Sequence, residues 1–314
     1  MFSAIDQRGN LVNLLDAIPD KQDFRCPACK SPLRLKNGQL MRPHFAHVEL
    51  KKCRFYSENE SQEHLTLKAE LYHALSKTEN VEIEKYISEI GQIADMFVNA
   101  RLAVEVQCSR LSSERLQERT KSYHNNGIQV LWLLGKSLWL GKQISGLQKQ
   151  FLYFSQNMGF HFWELDLENR CIRLKYLIYE DWHGKLHYTT KSVSFDSNLM
   201  LFFRLPFQKQ PMSFYEVKQD QKLLIYIQRQ LLARHSKWLF HQSQLYLQGR
   251  NVLMQPLEEF YPQVRPLTSE NGFCQVEVNL SGFYNNFFHY YQNQVDKTVQ
   301  ILYPPAFYKK SCED

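Results

Sequence analysis

Residues 93–107 read IADMFVNARLAVEVQ. Two apolar stretches, Ile93–Val98 and Leu102–Gln107, flank a tight reversal at Asn99, Ala100 and Arg101. The second stretch alternates apolar and other side chains with period two, so the segment predicts a pair of strands in one hairpin. Each strand carries one acid in an apolar setting, Asp95 in the first and Glu105 in the second. A carboxylate inside an apolar strand is costly to bury unless it is paired or binds a cation. Two of them on adjacent strands suit one shared Mg²⁺, which takes oxygen ligands and keeps several waters, and this is the chemistry of phosphodiester cleavage. Gln107 lies two positions after Glu105 and points to the same sheet face. The other reading is a polar face at a sheet edge, because alternating strands are built with one.

Working outward, residues 61–77 (SQEHLTLKAELYHALSK) predict a helix with Ser61 as its N-cap. Val81–Ile87 predicts a strand, Gly91 a turn, and Ser109–Asn126 a second helix that Gly127 terminates. Ile128–Leu134 is a continuous apolar run, as a buried strand would be. The order is α-β-β-β-α-β. On the first helix His64 and Lys68 share a face; on the second Arg115, Arg119 and Tyr123 follow at four-residue spacing, a stripe suited to phosphates or simply a solvated helix face.

With Asp95 on the second strand and Glu105-Val106-Gln107 on the third, residues 61–134 resemble the PD-(D/E)XK nuclease superfamily. The resemblance implies an α/β fold with a nuclease-like αβββαβ core and a Mg²⁺ or Mn²⁺ ion held by Asp95 and Glu105. It implies Glu63 as an additional ligand, Gln107 as the group orienting water where most members have Lys, and Lys68 as a displaced cation that neutralises the transition state. A narrower set of motifs, CPAC at Cys26–Cys29, RPHFAH at Arg42–His47, QEHLTLK at Gln62–Lys68 and VEVQCSRLS at Val104–Ser112, resembles the CoiA family of bacterial competence proteins over residues 1 to about 140. That resemblance implies DNA processing in natural transformation, on incoming single-stranded DNA or on recombination intermediates. The partners it implies are single-stranded or branched DNA, the recombinase and other competence proteins. Two readings of the activity follow, a Mg²⁺-dependent deoxyribonuclease or a non-catalytic DNA-binding mediator on a degenerate nuclease fold. A protein-bridging adaptor is a third.

Residues 1–58 form a Cys/His module. Cys26-Pro-Ala-Cys29 presents two thiolates to one tetrahedral ion, with His44 and His47 following and Cys53 as an alternative ligand. A zinc-ribbon-like site is the first reading; a metal-free hairpin and a redox pair are the others. Residues 59–150 hold the nuclease-like domain and 151–314 an aromatic, basic, mixed α+β C-terminal domain. There, residues 221–250 carry five Lys or Arg and no acid, and predict a packed helix with Lys222, Arg229, Arg234 and Lys237 outward and Trp238 interleaved. Cationic tracking with aromatic stacking is how single strands are bound, and a basic surface helix with core aromatics reads equally well. Residues 160–190 predict two strands with a turn near Glu168-Asn169, and FYNNFFHYYQNQ a helix of the core.

The whole chain has 314 residues, a net charge of +6 and 44% hydrophobic residues. This composition excludes disorder and coiled coil, and permits a nucleic-acid partner without requiring one. No apolar run approaches the roughly 18 residues of a membrane span. The start MFSAIDQRGN lacks a secretory pattern, so the expected location is cytoplasmic.

Overall fold

The structure is a computed structural model that describes residues 1–38, 41–49 and 61–311. It opens with a small sheet of β1 (Ser3–Ile5), β2 (Leu11–Asn13), β3 (Phe24–Arg25), β4 (Pro32–Lys36) and β5 (His44–His47), ordered β2-β1-β3-β4-β5. Every pairing is antiparallel. Phe24, Leu33 and Phe45 are buried on one face, and the two phenyl rings meet at 4.7 Å. Met1 exchanges backbone hydrogen bonds with Phe45, which ties the chain start to the far strand.

The order expected from residues 61–134 is present: α1 (Gln62–Leu75), β6 (Val81–Ile87), β7 (Gln92–Val98), β8 (Leu102–Gln107), α2 (Ser113–Asn125) and β9 (Gln129–Leu134). Ser61 accepts the backbone N–H of His64 and caps α1. Strands β6, β7 and β8 are antiparallel neighbours, and β8 runs parallel to β9. The β7–β8 reversal places Asn99 and Ala100 at φ of 50° and 52°. Helix α2 starts later than predicted because Ser112, not Ser109, accepts the N-terminal amide, that of Arg115.

The sheet continues past β9. After α3 (Gly146–Gln150) come β10 (Tyr153–Ser155), β11 (Gly159–Asp166), β12 (Cys171–Asp181) and β13 (Leu186–Ser194). Strand β11 lies parallel to β9 through Glu164 and Leu134, and β11 and β12 are the two strands predicted around residues 168–169. Farther on are α4 (Leu199–Arg204), β14 (Tyr215–Lys218), α5 (Leu223–Leu232), α6 (Ser236–Tyr246), β15 (Val264–Pro266), α7 (Ser281–Gln292), β16 (Val299–Leu302) and α8 (Pro305–Lys310). With β10 on β11 and β15 on β12, the large sheet has nine strands, ordered β13-β12-β11-β9-β8-β7-β6 along its main path. All eight residues of β11 are buried, as a strand covered on both faces must be.

Helix α7 is the aromatic tract FYNNFFHYYQ, and its Phe283, Phe287 and Tyr291 face inward at four-residue spacing. The single helix predicted over residues 221–250 is a correction: α5 and α6 are separate, broken at Ala233–His235, where Arg234 takes φ 54°. No Gly or Pro marks that break. Leu223, Ile227, Trp238, Val252 and Phe260 form a small core of their own beside the main one.

Candidate functional site

The β7–β8 register runs from Val98 opposite Leu102 to Met96 opposite Val104, and Asp95 and Glu105 lie next to its end. Their carboxylates are nevertheless held from different helices. Asp95 Oδ1 lies 3.2 Å from Lys68 Nζ of α1, and its Oδ2 lies 3.3 Å from His64 Nε2. The same Oδ2 accepts the Val106 N–H at 2.9 Å. Burial alone would push the Asp95 carboxyl up; Lys68, His64 and the Val106 amide outweigh it and hold the group well below the usual carboxylate range. Lys68 is only 1% exposed and also contacts Glu84 Oε1 at 2.6 Å.

Glu84 is the residue that sequence reasoning missed. Its Oε2 accepts the backbone N–H groups of Phe2 and Ser3 at 2.7 and 2.9 Å and the Ser3 hydroxyl at 3.1 Å. Its φ is 48°, a left-handed conformation unusual for Glu and affordable only where surrounding contacts over-determine it. In the sequence, Val81-Glu82-Ile83-Glu84 alternates as a half-exposed strand does, so nothing there signals a buried acid. The first strand of the N-terminal sheet is what covers it.

Glu105, also 1% exposed, faces α2. Its Oε1 accepts from Arg119 Nη2 at 2.5 Å and from the Tyr123 hydroxyl at 2.6 Å. Burial raises the Glu105 carboxyl against the pull of Arg119. The Arg119 guanidinium lies over the Trp132 ring at 5.1 Å. The predicted phosphate stripe is therefore corrected: Tyr123 is fully buried, Arg119 is spent on Glu105, and Arg115 is half-exposed and paired to Glu118 at 2.8 Å. Helical spacing brings the three side chains to one side, but that side packs on the sheet for its C-terminal two.

Gln107 Nε2 donates to the Ser109 carbonyl at 2.9 Å, and Glu63 Oε1 accepts the Lys136 N–H at 2.9 Å. The expected ligands thus do not fit a Mg²⁺ or Mn²⁺ ion shared by Asp95 and Glu105. Each acid already has its own cation, and a divalent ion would have to displace Lys68 or Arg119. Among the described residues, one group of three or more His, Cys, Asp or Glu side chains brings ligand atoms within 4.8 Å of one another, and it lies elsewhere.

That group is Cys26, Cys29 and His47. The β3–β4 turn presents both thiols, with the Lys30 N–H bonded to the Cys26 carbonyl at 3.0 Å. Strand β5 brings His47 Nε2 to 3.4 Å from Cys29 Sγ. Burial pushes the Cys26 thiol up to about 12 and the His47 imidazole down. The imidazole is thereby kept neutral, as a ligand must be, while a bound cation would be needed to make Cys26 a thiolate. The group can hold a metal ion. His44 is a correction: its Nδ1 contacts the Arg42 carbonyl at 2.9 Å. Residues three apart on a strand point to opposite faces, so His44 and His47 cannot both turn to one ion. Cys53 lies outside the described residues.

In the C-terminal half Lys222, Arg229 and Arg234 are exposed. Lys237 Nζ sits 5.9 Å from the rings of both Trp182 and Trp238. Trp238 is 1% exposed and belongs to the small core, which corrects its expected role as a stacking platform. Leu239, Phe240, Tyr246 and Leu247 are exposed apolar groups of α6 and its end.

The family model "Competence protein CoiA, nuclease-like domain" matches residues 60–193, and "Competence protein CoiA, N-terminal domain" matches residues 10–56. Together they cover more than half of the chain. The chain belongs to the CoiA family. The nuclease-like match of this CoiA-family chain runs to the end of β13, well beyond β9. Competence protein CoiA of Bacillus subtilis (strain 168) is 37% identical over 122 residues, covering 37% of this chain and 32% of the relative. The match thus spans about a third of that relative's length. No solved structure matches the chain. Among the described residues no helix is long and apolar enough to cross a membrane.

Proposed function

We propose that this chain serves natural competence in the cytoplasm as a DNA-binding protein on a PD-(D/E)XK-like fold, binding single-stranded or branched DNA for the recombinase without cutting it. The competence role is supported by the family to which the chain belongs. The single observation that carries the non-cutting reading is that Asp95 and Glu105 are each ion-paired inside the protein, to Lys68 and Arg119. The exposed cations Lys222, Arg229 and Arg234 are among the groups available to phosphates. Their contribution is salt-dependent, with a slope of about −0.7 per phosphate neutralised on a single strand.

The test is a panel of single-stranded, duplex, forked and displacement-loop substrates with Mg²⁺ or Mn²⁺. Intact substrates are expected throughout, and binding in Asp95→Ala within about twofold of wild type. The pair Arg229→Glu with Arg234→Glu is expected to weaken single-strand binding by at least about tenfold at low salt and to flatten the salt slope by about 1.4. Cleavage that vanishes in Asp95→Ala would overturn this reading and restore a metal-dependent nuclease.

The Cys26, Cys29 and His47 set suits zinc, which takes thiolate and imidazole at tetrahedral sites and here has a structural role, joining the β3–β4 turn to β5. Purified protein is expected to carry about one zinc per chain by elemental analysis. Cys29→Ser or His47→Ala should lower that content several-fold, and a strong chelator should lower the melting temperature of wild type but not of Cys29→Ser. Zinc content unchanged in both variants would assign the ion elsewhere.

A further inference from the structure

A cavity of about 490 Å³ lies at the far end of the large sheet, between the β12–β13 turn, the end of β14, the start of α5 and β15. That volume falls within the usual range for small-ligand pockets, roughly 300–1,000 Å³. Two imidazoles line it, each oriented by a carboxylate. His183 Nε2 is 2.8 Å from Asp220 Oδ2, and His187 Nε2 is 2.9 Å from Asp181 Oδ2. With Nε2 engaged, the Nδ1 of each ring has no partner among the described residues. Asp181 Oδ1 also accepts the N–H groups of His183 and Lys185, both at 2.9 Å, so the turn that carries these side chains is fixed by its own hydrogen bonds.

The remaining polar lining is short of acceptors. The ammonium groups of Lys185 and Lys218 have no ion pair among the described residues, and Gln219 Nε2 is buried with no hydrogen-bond partner. A buried donor without an acceptor is rare in native proteins and asks for an explanation, often a bound group that the site was built around. The acids of the cavity do not supply it, since Asp181 and Asp220 are turned to their imidazoles. Tyr261 also lines the wall, with Lys297 Nζ 5.8 Å from its ring centroid, and aromatic rings are the side chains on which nucleobases stack.

We infer that this cavity binds a nucleoside monophosphate moiety, its phosphate against Lys185, Lys218 and the Gln219 amide and its base against Tyr261. The two sources of that chemistry are a free deoxynucleotide and the phosphorylated end of a DNA strand. The strand-end source rests on the DNA-binding reading above; the free-nucleotide source does not.

Calorimetric titration of the full chain with thymidine 5′-monophosphate, thymidine and inorganic phosphate tests the inference. The monophosphate is expected to bind at least about tenfold more tightly than either of the others. Lys185→Ala with Lys218→Ala should remove that advantage, and Tyr261→Leu should bring the monophosphate down toward inorganic phosphate. Circular dichroism checks that each variant is folded, and Gln219→Leu, which removes only the buried amide, offers a milder second variant with an expected loss of several-fold. No heat with the monophosphate, equal binding of all three probes, or unchanged binding in the folded double-lysine variant would overturn the assignment. Oligonucleotides with a 5′-phosphate, a 3′-phosphate or neither separate the sources: preference for a phosphorylated end identifies the strand, and its absence beside tight monophosphate binding identifies the free nucleotide. Failure of long-strand binding with monophosphate binding intact would remove the DNA reading and leave the pocket.

Discussion

Replacing Lys68 by Met is expected to destabilise the folded chain by about 3–5 kcal/mol, the usual loss when one member of a buried ion pair is removed. The ammonium is 1% exposed and serves two carboxylates, Glu84 at 2.6 Å and Asp95 at 3.2 Å. Without it Glu84 keeps the donors from Phe2 and Ser3 on Oε2, but its Oε1 loses its cation. Urea unfolding followed by circular dichroism measures the loss. Adding Glu84→Gln to Lys68→Met should recover part of it, because one of the two carboxylates that Lys68 serves is then neutral, while Asp95 keeps His64 and the Val106 amide. The pH dependence has a definite sign. Asp95 titrates below its ordinary value in the folded chain, so its contribution is present above the unfolded value of about 3.9 and is lost as pH falls below it. The acid limb of the stability curve should therefore be shallower in Lys68→Met than in wild type. A loss under about 1 kcal/mol with an unchanged acid limb would mean that Lys68 is not the counter-charge.

Arg119→Met should cost a similar amount, about 3–5 kcal/mol, for the same reason at the second acid. Its guanidinium is the cation on a Glu105 carboxyl that is 1% exposed. Burial already raises this acid, and losing Arg119 raises it further. A carboxyl whose folded value lies above its unfolded value of about 4.3 favours folding as pH falls, the opposite sign to Asp95. The variant should accordingly regain part of its stability as pH falls toward the unfolded value, while wild type does so much less. Strand binding measured on the folded fraction separates two roles for the arginine. Normal binding with reduced stability fits a guanidinium turned inward, and reduced binding with normal stability would return Arg119 to a phosphate-contacting surface.

The hairpin at residues 93–107 was readable because its signals are local. Period-two alternation marks Leu102–Gln107, the residues 99–101 have no periodicity to extend either strand, and the strand limits match the predicted ones to within a residue. Ser61 and Gly127 bound the two helices for reasons that act within a few residues of each, a side-chain acceptor for a free amide and a left-handed φ of 69°. The Cys26–Cys29 turn was readable in the same way. The choice between His44 and His47 was also latent in the sequence, in the alternation of a strand that had not been assigned there.

Which groups meet across the fold was not readable. Glu84 looks like the outward residue of an alternating strand until Ser3 and Phe2 arrive from more than eighty positions away. Tyr123 and Trp238 have the residue types of a nucleic-acid surface, but the first is turned under α2 onto Glu105 and the second closes a small core with Leu223 and Ile227. Periodicity and capping are properties of neighbouring residues, so the amino-acid order by itself determined the α-β-β-β-α-β succession and the Cys-x-x-Cys turn. Burial and ion pairing depend on which distant segment covers each face. Only the tertiary structure therefore decided that the two acids of the hairpin pair with Lys68 and Arg119.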